Sequence, residues 1–194
     1  MKARQFVLMG VLVVGLTVSC SSQDNSDPVA VVRTWTEALK ATDFQKMSTV
    51  MHPEALTQFK DILMPVMQGF NESIAQDTTG TAQVPDSLKQ MLAGIDTLQG
   101  EAFYTQSMRV LSSIVPDLRQ SLSGMSSTII GGVPEGDTLV HVVQRTSMEY
   151  MGRGMTNEVD VVTVKKSDGG WRVMLTGGMR GLAEGMRQAF MGRG

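Results

Sequence analysis

The chain has 194 residues, 42% of them hydrophobic, and a formal net charge of −2. This length and apolar content suffice for one domain with a substantial core. The weakly acidic balance, with 17 basic and 19 acidic side chains, does not favour nucleic acid as a partner. The chain contains a single cysteine, which excludes a disulfide within it.

Residues 1–19 have the three-part pattern of a cleaved signal peptide. Lys2 and Arg4 precede an apolar run from Phe6 to Val18. This run is shorter than the ~20 apolar residues that a helix needs to span a bilayer. We therefore expect residues 1–19 to be removed during secretion, which would make the net charge two units more negative.

The end of this leader resembles the lipobox of bacterial lipoproteins, in which a small residue precedes the cysteine that receives the lipid. Ser19 fits this pattern, whereas Thr17 stands where the family prefers Leu, Val or Ile. The resemblance implies a mature chain that starts at a lipidated, palmitate-bearing Cys20, with residues 20–27 as a short tether. Ser21 after the cysteine implies sorting to the outer membrane, facing the periplasm. The alternative is an ordinary secretory leader followed by a stray cysteine.

Helical spacing of apolar residues predicts three helices after the tether. Asp27 followed by Pro28 is typical of a helix start, and Asp43 is typical of the start of a second, shorter helix. The third helix is predicted to begin at Pro53 and to reach Gly69, where its apolar repeat ends.

A proline and a polar segment complicate the region that follows. Pro65 can kink the third helix, and residues 71–85 are polar without a period, which predicts a loop. Two more helices are predicted, one from Asp86 and one from Glu101 to just before Pro116.

From about residue 126 onwards, β-branched runs separated by turns replace the helical period. Val133–Gly136 is typical of a type I turn, and Ser167–Gly170 is typical of a tight hairpin. The short connections predict an antiparallel meander and therefore an α+β domain. The predicted strands are 126–133, 138–150, 156–166 and 171–176.

Helices followed by such a meander are similar to the NTF2-like superfamily (cystatin-like cone, SnoaL-like). The resemblance is carried by Val31–Met51, 136–143 and 165–173. It implies a domain over residues 28–176, with N-terminal helices packed on a curved four-stranded antiparallel sheet around a pocket, and it leaves a homodimer through the sheet open. The superfamily includes isomerases, dehydratases, transport factors and lipoproteins, so the resemblance implies architecture rather than activity.

His141 is the candidate for acid–base chemistry. In the enzyme hypothesis, it acts in the pocket with Asp160 on the neighbouring strand or with Glu149. The alternative is a hydrogen-bonded structural histidine and a surface aspartate, which a lone histidine without a spaced partner motif favours. His52 precedes a proline and is predicted to be structural.

The chain contains 16 methionines, and Met148, Met151 and Met155 are close in sequence. Thioether clusters bind Cu(I) in the bacterial envelope, which makes these three the candidate metal ligands. Most other methionines stand at core spacing in predicted helices, and core packing is the favoured interpretation. We therefore predict neither a metal ion nor a cofactor.

Residues 177–194 are predicted to form an amphipathic C-terminal tail. The helix is predicted over about 178–190, although Gly181 and Gly185 each oppose it by about 1 kcal/mol relative to alanine. We expect its apolar face to contact the domain, the membrane or a partner. The residues of that face are Met179, Leu182, Met186 and Phe190.

These patterns predict a non-catalytic, membrane-anchored protein of the cell envelope that binds a small apolar ligand or an envelope protein. Neither a nucleophile triad, nor a phosphate-binding loop, nor spaced metal ligands occur in the sequence. The alternative is a pocket enzyme that uses His141 and a nearby carboxylate for isomerase-like, dehydratase-like or hydrolase-like chemistry.

Overall fold

Helices precede and follow a four-stranded antiparallel sheet in the computed structural model, which describes residues 25–76, 84–149 and 155–191. This is the predicted α+β class. The predicted leader, Cys20 and the tether up to residue 24 lie outside the described residues. The helices are α1 (Pro28–Lys40), α2 (Phe44–Val50), α3 (Pro53–Gln76), α4 (Asp86–Leu92), α5 (Gly100–Ile114), α6 (Pro116–Ser123) and α7 (Gly177–Met191). The strands are β1 (Ser126–Glu135), β2 (Leu139–Glu149), β3 (Met155–Ser167) and β4 (Gly170–Val173).

The first two helices begin at the predicted aspartates. The Asp27 carboxylate accepts a hydrogen bond from the Val29 N–H at 2.9 Å, and the Asp43 carboxylate accepts one from the Lys46 N–H at 3.0 Å. Each bond satisfies one of the backbone donors that a helix start leaves unpaired. The apolar stripe of α1 is buried in the core, as its spacing predicts. Among the described residues, no helix is both long and apolar enough to cross a membrane.

The third helix is longer than predicted. It continues past Gly69 to Gln76, so the prediction of a loop is wrong for residues 71–76. Ile74 packs against the core from this extension, and that contact offsets the helix cost of Gly69. Pro65 lies inside the helix without ending it, because Val66 directly after it is buried in the core. Residues 77–83 of the predicted loop lie outside the described residues.

The sheet is a meander in the order β1-β2-β3-β4, and all its neighbouring strands are antiparallel. The tight hairpin between β3 and β4 is confirmed, with Gly170 at a φ of 101°. The predicted turn at Val133–Gly136 is wrong, because β1 continues through Pro134 to Glu135. Proline is tolerated there since β1 is an edge strand. The chain turns instead at residues 136–138, where Gly136 adopts a φ of 65°.

The two faces of the sheet differ in what they contact. Val140, Val142 and Gln144 of β2 are buried against the helices, so we call this the inner face. His141 and Arg145 alternate with them and lie on the outer face. The core therefore lies between the inner face and the helical layer. The helix α6, which the sequence did not indicate, also belongs to that layer through its buried Leu122.

The C-terminal helix packs against α3. Ala183 is only 1% exposed, and Met179 and Met186 are partly buried against the same core. The predicted helix in the tail is thus confirmed, and its contact with the domain is internal.

Strand β4 meets the junction of α2 and α3. The His52 N–H donates to the Val173 carbonyl at 2.8 Å, and the His52 Nδ1 accepts from the Glu54 N–H at 3.2 Å. The imidazole therefore caps α3 only while Nδ1 is unprotonated. Burial lowers the pKa of His52, and the charges of Lys165 and Arg172 lower it further against the opposing effect of Glu54.

We predict that replacing His52 removes part of the acid sensitivity of this protein. Because the folded-state pKa of His52 is depressed, its contribution to stability is complete above the unfolded value of about 6.5 and declines below it. His52→Asn keeps an oxygen acceptor that does not titrate. Melting curves measured from neutral to mildly acidic pH should show a smaller loss of stability for H52N than for the wild type. An equal loss in both proteins would contradict this role.

Candidate functional site

A cavity of about 850 Å³ lies between the inner face of β2 and β3 and the helices α1, α5, α6 and α7. Its volume falls within the range of about 300–1,000 Å³ that is typical of small-molecule sites. Most of its lining is apolar, and it comes from five helices, including α2 through Met47, and from two strands. The fold therefore leaves a space of ligand size next to its core.

Methionine is the most frequent residue type in the walls of this cavity. Met is unbranched and polarisable, so it can reshape around ligands of irregular form. The sequence predicted core packing for most methionines, and the buried Met47, Met108 and Met125 combine that role with lining the cavity. The full set of lining methionines is Met47, Met108, Met125, Met148, Met179 and Met186.

Three polar side chains of the lining have hydrogen-bonding groups without a partner. Gln144 is 5% exposed, and its Oε1 accepts from the Thr36 hydroxyl at 3.4 Å and from the Ser127 hydroxyl at 3.1 Å. This leaves the Gln144 Nε2 without an acceptor among the described residues. The Trp35 Nε1 and the Thr146 Oγ1 are buried and also lack a partner there.

The two buried groups, the Trp35 Nε1 and the Thr146 Oγ1, are costly, since a buried polar group without a partner destabilises the fold by about 1–3 kcal/mol. A ligand with an acceptor atom would satisfy them. Tyr104 contributes differently, because burial raises the pKa of its hydroxyl and keeps it neutral. The Tyr104 hydroxyl donates to the Met47 sulfur at 4.0 Å.

Two carboxylates stand at the rim of the cavity. Glu158 and Asp160 line it while remaining exposed. The register of β3 places them opposite Thr146 and Gln144 of β2. Cross-strand partners share a face with Cβ atoms about 4.5–5.5 Å apart, so the four residues form one polar patch at the rim.

The structure does not bring together the predicted acid–base pair. His141 lies on the outer face of the sheet, whereas Asp160 lines the cavity on the inner face. The His141 Nε2 contacts the Glu135 carboxylate at 2.6 Å, and its Nδ1 contacts the Thr163 hydroxyl at 3.0 Å. The side chain of Glu149 lies outside the described part of the structure.

Glu135 was missed because the predicted turn placed it outside the strands. Once β1 extends through Pro134, the register pairs Glu135 with Leu139, which puts it diagonally next to His141. The β-hairpin register would have indicated this pair, but only with the correct turn position.

The three candidate metal ligands are described only in part. Met148 lines the cavity, Met151 lies outside the described residues, and the side chain of Met155 does as well. Within the described ranges, no group of three or more His, Cys, Asp or Glu residues could hold a metal ion.

The C-terminal helix provides one wall of the cavity. Met179, Leu182 and Met186 from the predicted apolar face line it, while the side chain of Phe190 lies outside the described part. Four glycines of the same helix also line the cavity, namely Gly177, Gly178, Gly181 and Gly185. The sequence indicated only the helix cost of the glycines and not the space that they leave.

A second apolar surface lies on the outer face of the sheet and is open to solvent. Ile130 and Val133 of β1 are each 57% exposed, and Val159 and Val161 of β3, which the cavity lining also includes, are similarly exposed. Ile130 stands at a β-bulge between Ile129 and Gly131.

No protein-family model, curated protein or solved structure matches this chain.

Proposed function

We propose that this chain is a membrane-anchored envelope lipoprotein whose α+β domain binds a small apolar ligand in the cavity between sheet and helices, without catalysis. The cavity carries the proposal: it has ligand size, methionine-rich walls and buried polar groups that need a partner. The order of helices followed by an antiparallel meander agrees with the NTF2-like resemblance, which we retain as a proposal.

The anchor rests on the leader and on Cys20. We expect the mature protein to begin at Cys20 and to carry two or three acyl chains, because a single chain gives only marginal membrane binding. Intact-mass measurement of the protein from the outer-membrane fraction checks this expectation. An unmodified thiol in a soluble mature protein would refute it.

The geometry offers a second candidate function on the outer face. The contact of 2.6 Å between His141 and Glu135 is the kind of pair that a general base requires. His141 is not among the residues that line the cavity, and this favours the binding function over the alternative.

Binding of an apolar probe tests the main proposal. In a Trp171→Phe variant, Trp35 is the remaining tryptophan and reports directly from the cavity wall. We expect neutral N-phenylnaphthylamine to quench Trp35 and to raise the melting temperature, since a ligand at a hundredfold excess over its Kd stabilises by about 2.7 kcal/mol. A probe that changes neither quantity would contradict the proposal.

A matched variant separates the cavity from the exposed apolar surface of the outer face. Ile130→Ser with Val133→Ser removes apolar area from that surface and leaves the cavity lining intact. The double variant should bind the probe as the parent does. A large loss of binding in this variant would locate the probe on the outer face and would also refute the cavity as the site.

A further inference from the structure

We infer that the cavity selects apolar molecules that carry a positively charged head, such as a protonated amine, over molecules with an anionic head. This inference rests on the proposed function and adds the chemical class of the ligand. It follows from the charges at the rim and from the unpaired polar groups behind them.

The charged residues of the cavity have one sign. Glu158 and Asp160 are its ionisable carboxylates, and its described lining contains no lysine, arginine or histidine. Neither carboxylate forms an ion pair or a hydrogen bond with a described residue. Two unneutralised carboxylates, two residues apart on one face of β3, repel an anion and attract a cation.

The second observation comes from the buried groups next to this rim. Thr146 stands directly opposite Glu158 in the sheet register, and its buried Oγ1 has no hydrogen-bond partner among the described residues. Trp35, which is 4% exposed, likewise presents an Nε1 without a described partner. The pairing of Thr146 with Glu158 marks the rim end of the cavity as the place for a polar head, with the apolar body among the methionines.

The buried donors do not call for an anion. A carboxylate could accept from Thr146 and Trp35, but it would lie beside Glu158, and like charges in contact are strongly disfavoured. A neutral oxygen, such as a hydroxyl, satisfies the donors without this repulsion. A head with an amine, and with an oxygen nearby, therefore fits both parts of the site.

Three probes with the same chain and different heads test the inference: dodecylamine, dodecanol and dodecanoate. The assay measures how well each compound displaces N-phenylnaphthylamine from the complete protein carrying Cys20→Ser. It is carried out at neutral pH and below the micelle concentration of each compound. We expect dodecylamine to displace the probe at a concentration about tenfold lower than dodecanoate, since two exposed ion pairs each contribute a few-fold in affinity. Added salt should reduce this preference.

Paired variants locate the origin of the preference. Glu158→Gln with Asp160→Asn should bring dodecylamine and dodecanoate to within about twofold while leaving dodecanol unchanged, because only the charge at the rim differs. The control Asp61→Asn with Glu72→Gln makes the same change in net charge at exposed residues outside the lining, and should retain the preference. Unchanged binding of dodecanol also shows that the variants are folded.

The outcomes distinguish the two proposals. If N-phenylnaphthylamine does not bind, or if none of the three dodecyl compounds displaces it, the proposed function fails. If the dodecyl compounds bind but dodecanoate binds as tightly as dodecylamine or more tightly, the inference about the charged head is overturned, while the cavity remains the binding site. A preference that survives E158Q/D160N, or that falls equally in the control pair, also overturns the inference, because its source then lies elsewhere.

Discussion

Truncation of the chain after Thr176 is expected to lower the melting temperature by roughly 10 °C, which corresponds to a loss of about 3–5 kcal/mol in a domain of this size. The deleted helix α7 buries Ala183 and packs Met179 and Met186 against the core beside α3. Its removal exposes the side of α3 that it covers. Differential scanning calorimetry of the truncated and complete proteins measures the effect.

The same truncation should abolish binding of apolar probes, because α7 forms one wall of the cavity. Two matched point variants show whether packing is the cause. Ala183→Glu places a charge in the contact with α3, whereas Gln188→Glu places the same charge on an exposed position of the same helix. The first should destabilise the protein as truncation does and the second should not. An unchanged melting temperature after truncation would contradict an internal role of the helix.

The parts of the fold that sequence predicted are those that depend on local chemistry. Asp27 and Asp43 cap helices because a short acceptor side chain satisfies nearby backbone donors wherever the fold places it. The hairpin at Ser167–Gly170 forms because its turn residues fix the geometry. Alternation of apolar residues likewise gave the strands to within a few residues.

The errors occurred where tertiary contacts outweigh local preference. Gly69 is typical of a helix end in sequence, but Ile74 packs against the core, and α3 continues to Gln76. Pro134 is typical of a turn in sequence, but β1 is an edge strand, where the lack of a backbone N–H at proline is tolerated. That second error also hid the contact between His141 and Glu135, because the partner of a strand residue depends on the register.

The candidate site was harder to predict than the fold. A methionine at helical spacing looks the same in sequence whether it fills a core or lines a cavity, as Met47 and Met108 illustrate. Asp160 was identified as a possible functional acid, but its neighbours Gln144 and Thr146 belong to the site only through the pairing of β2 with β3. The cavity arises from several elements, and no single segment of the sequence encodes it.

Substitution of the glycines in α7 should change stability and ligand binding in opposite directions. A Cβ at Gly181 or Gly185 meets no atom within 4 Å, and both residues line the cavity. Leucine at both positions removes a helix cost of up to about 1 kcal/mol per glycine while its side chains fill the space that a ligand needs. We expect G181L/G185L to melt at or above the temperature of the wild type and to bind N-phenylnaphthylamine at least about tenfold more weakly, a difference of about 1.4 kcal/mol.

Gly69 provides the matched control for this double variant. It is also helical, exposed and free of neighbours within 4 Å of its Cβ position, but it lies on α3 outside the cavity lining. Gly69→Leu should therefore raise the melting temperature without changing the affinity for the probe. If G181L/G185L binds the probe as the wild type does, the wall formed by α7 is not part of the binding site. If it unfolds more easily instead, these glycines are needed for packing rather than for space, because the helix propensity of leucine alone would have stabilised the protein.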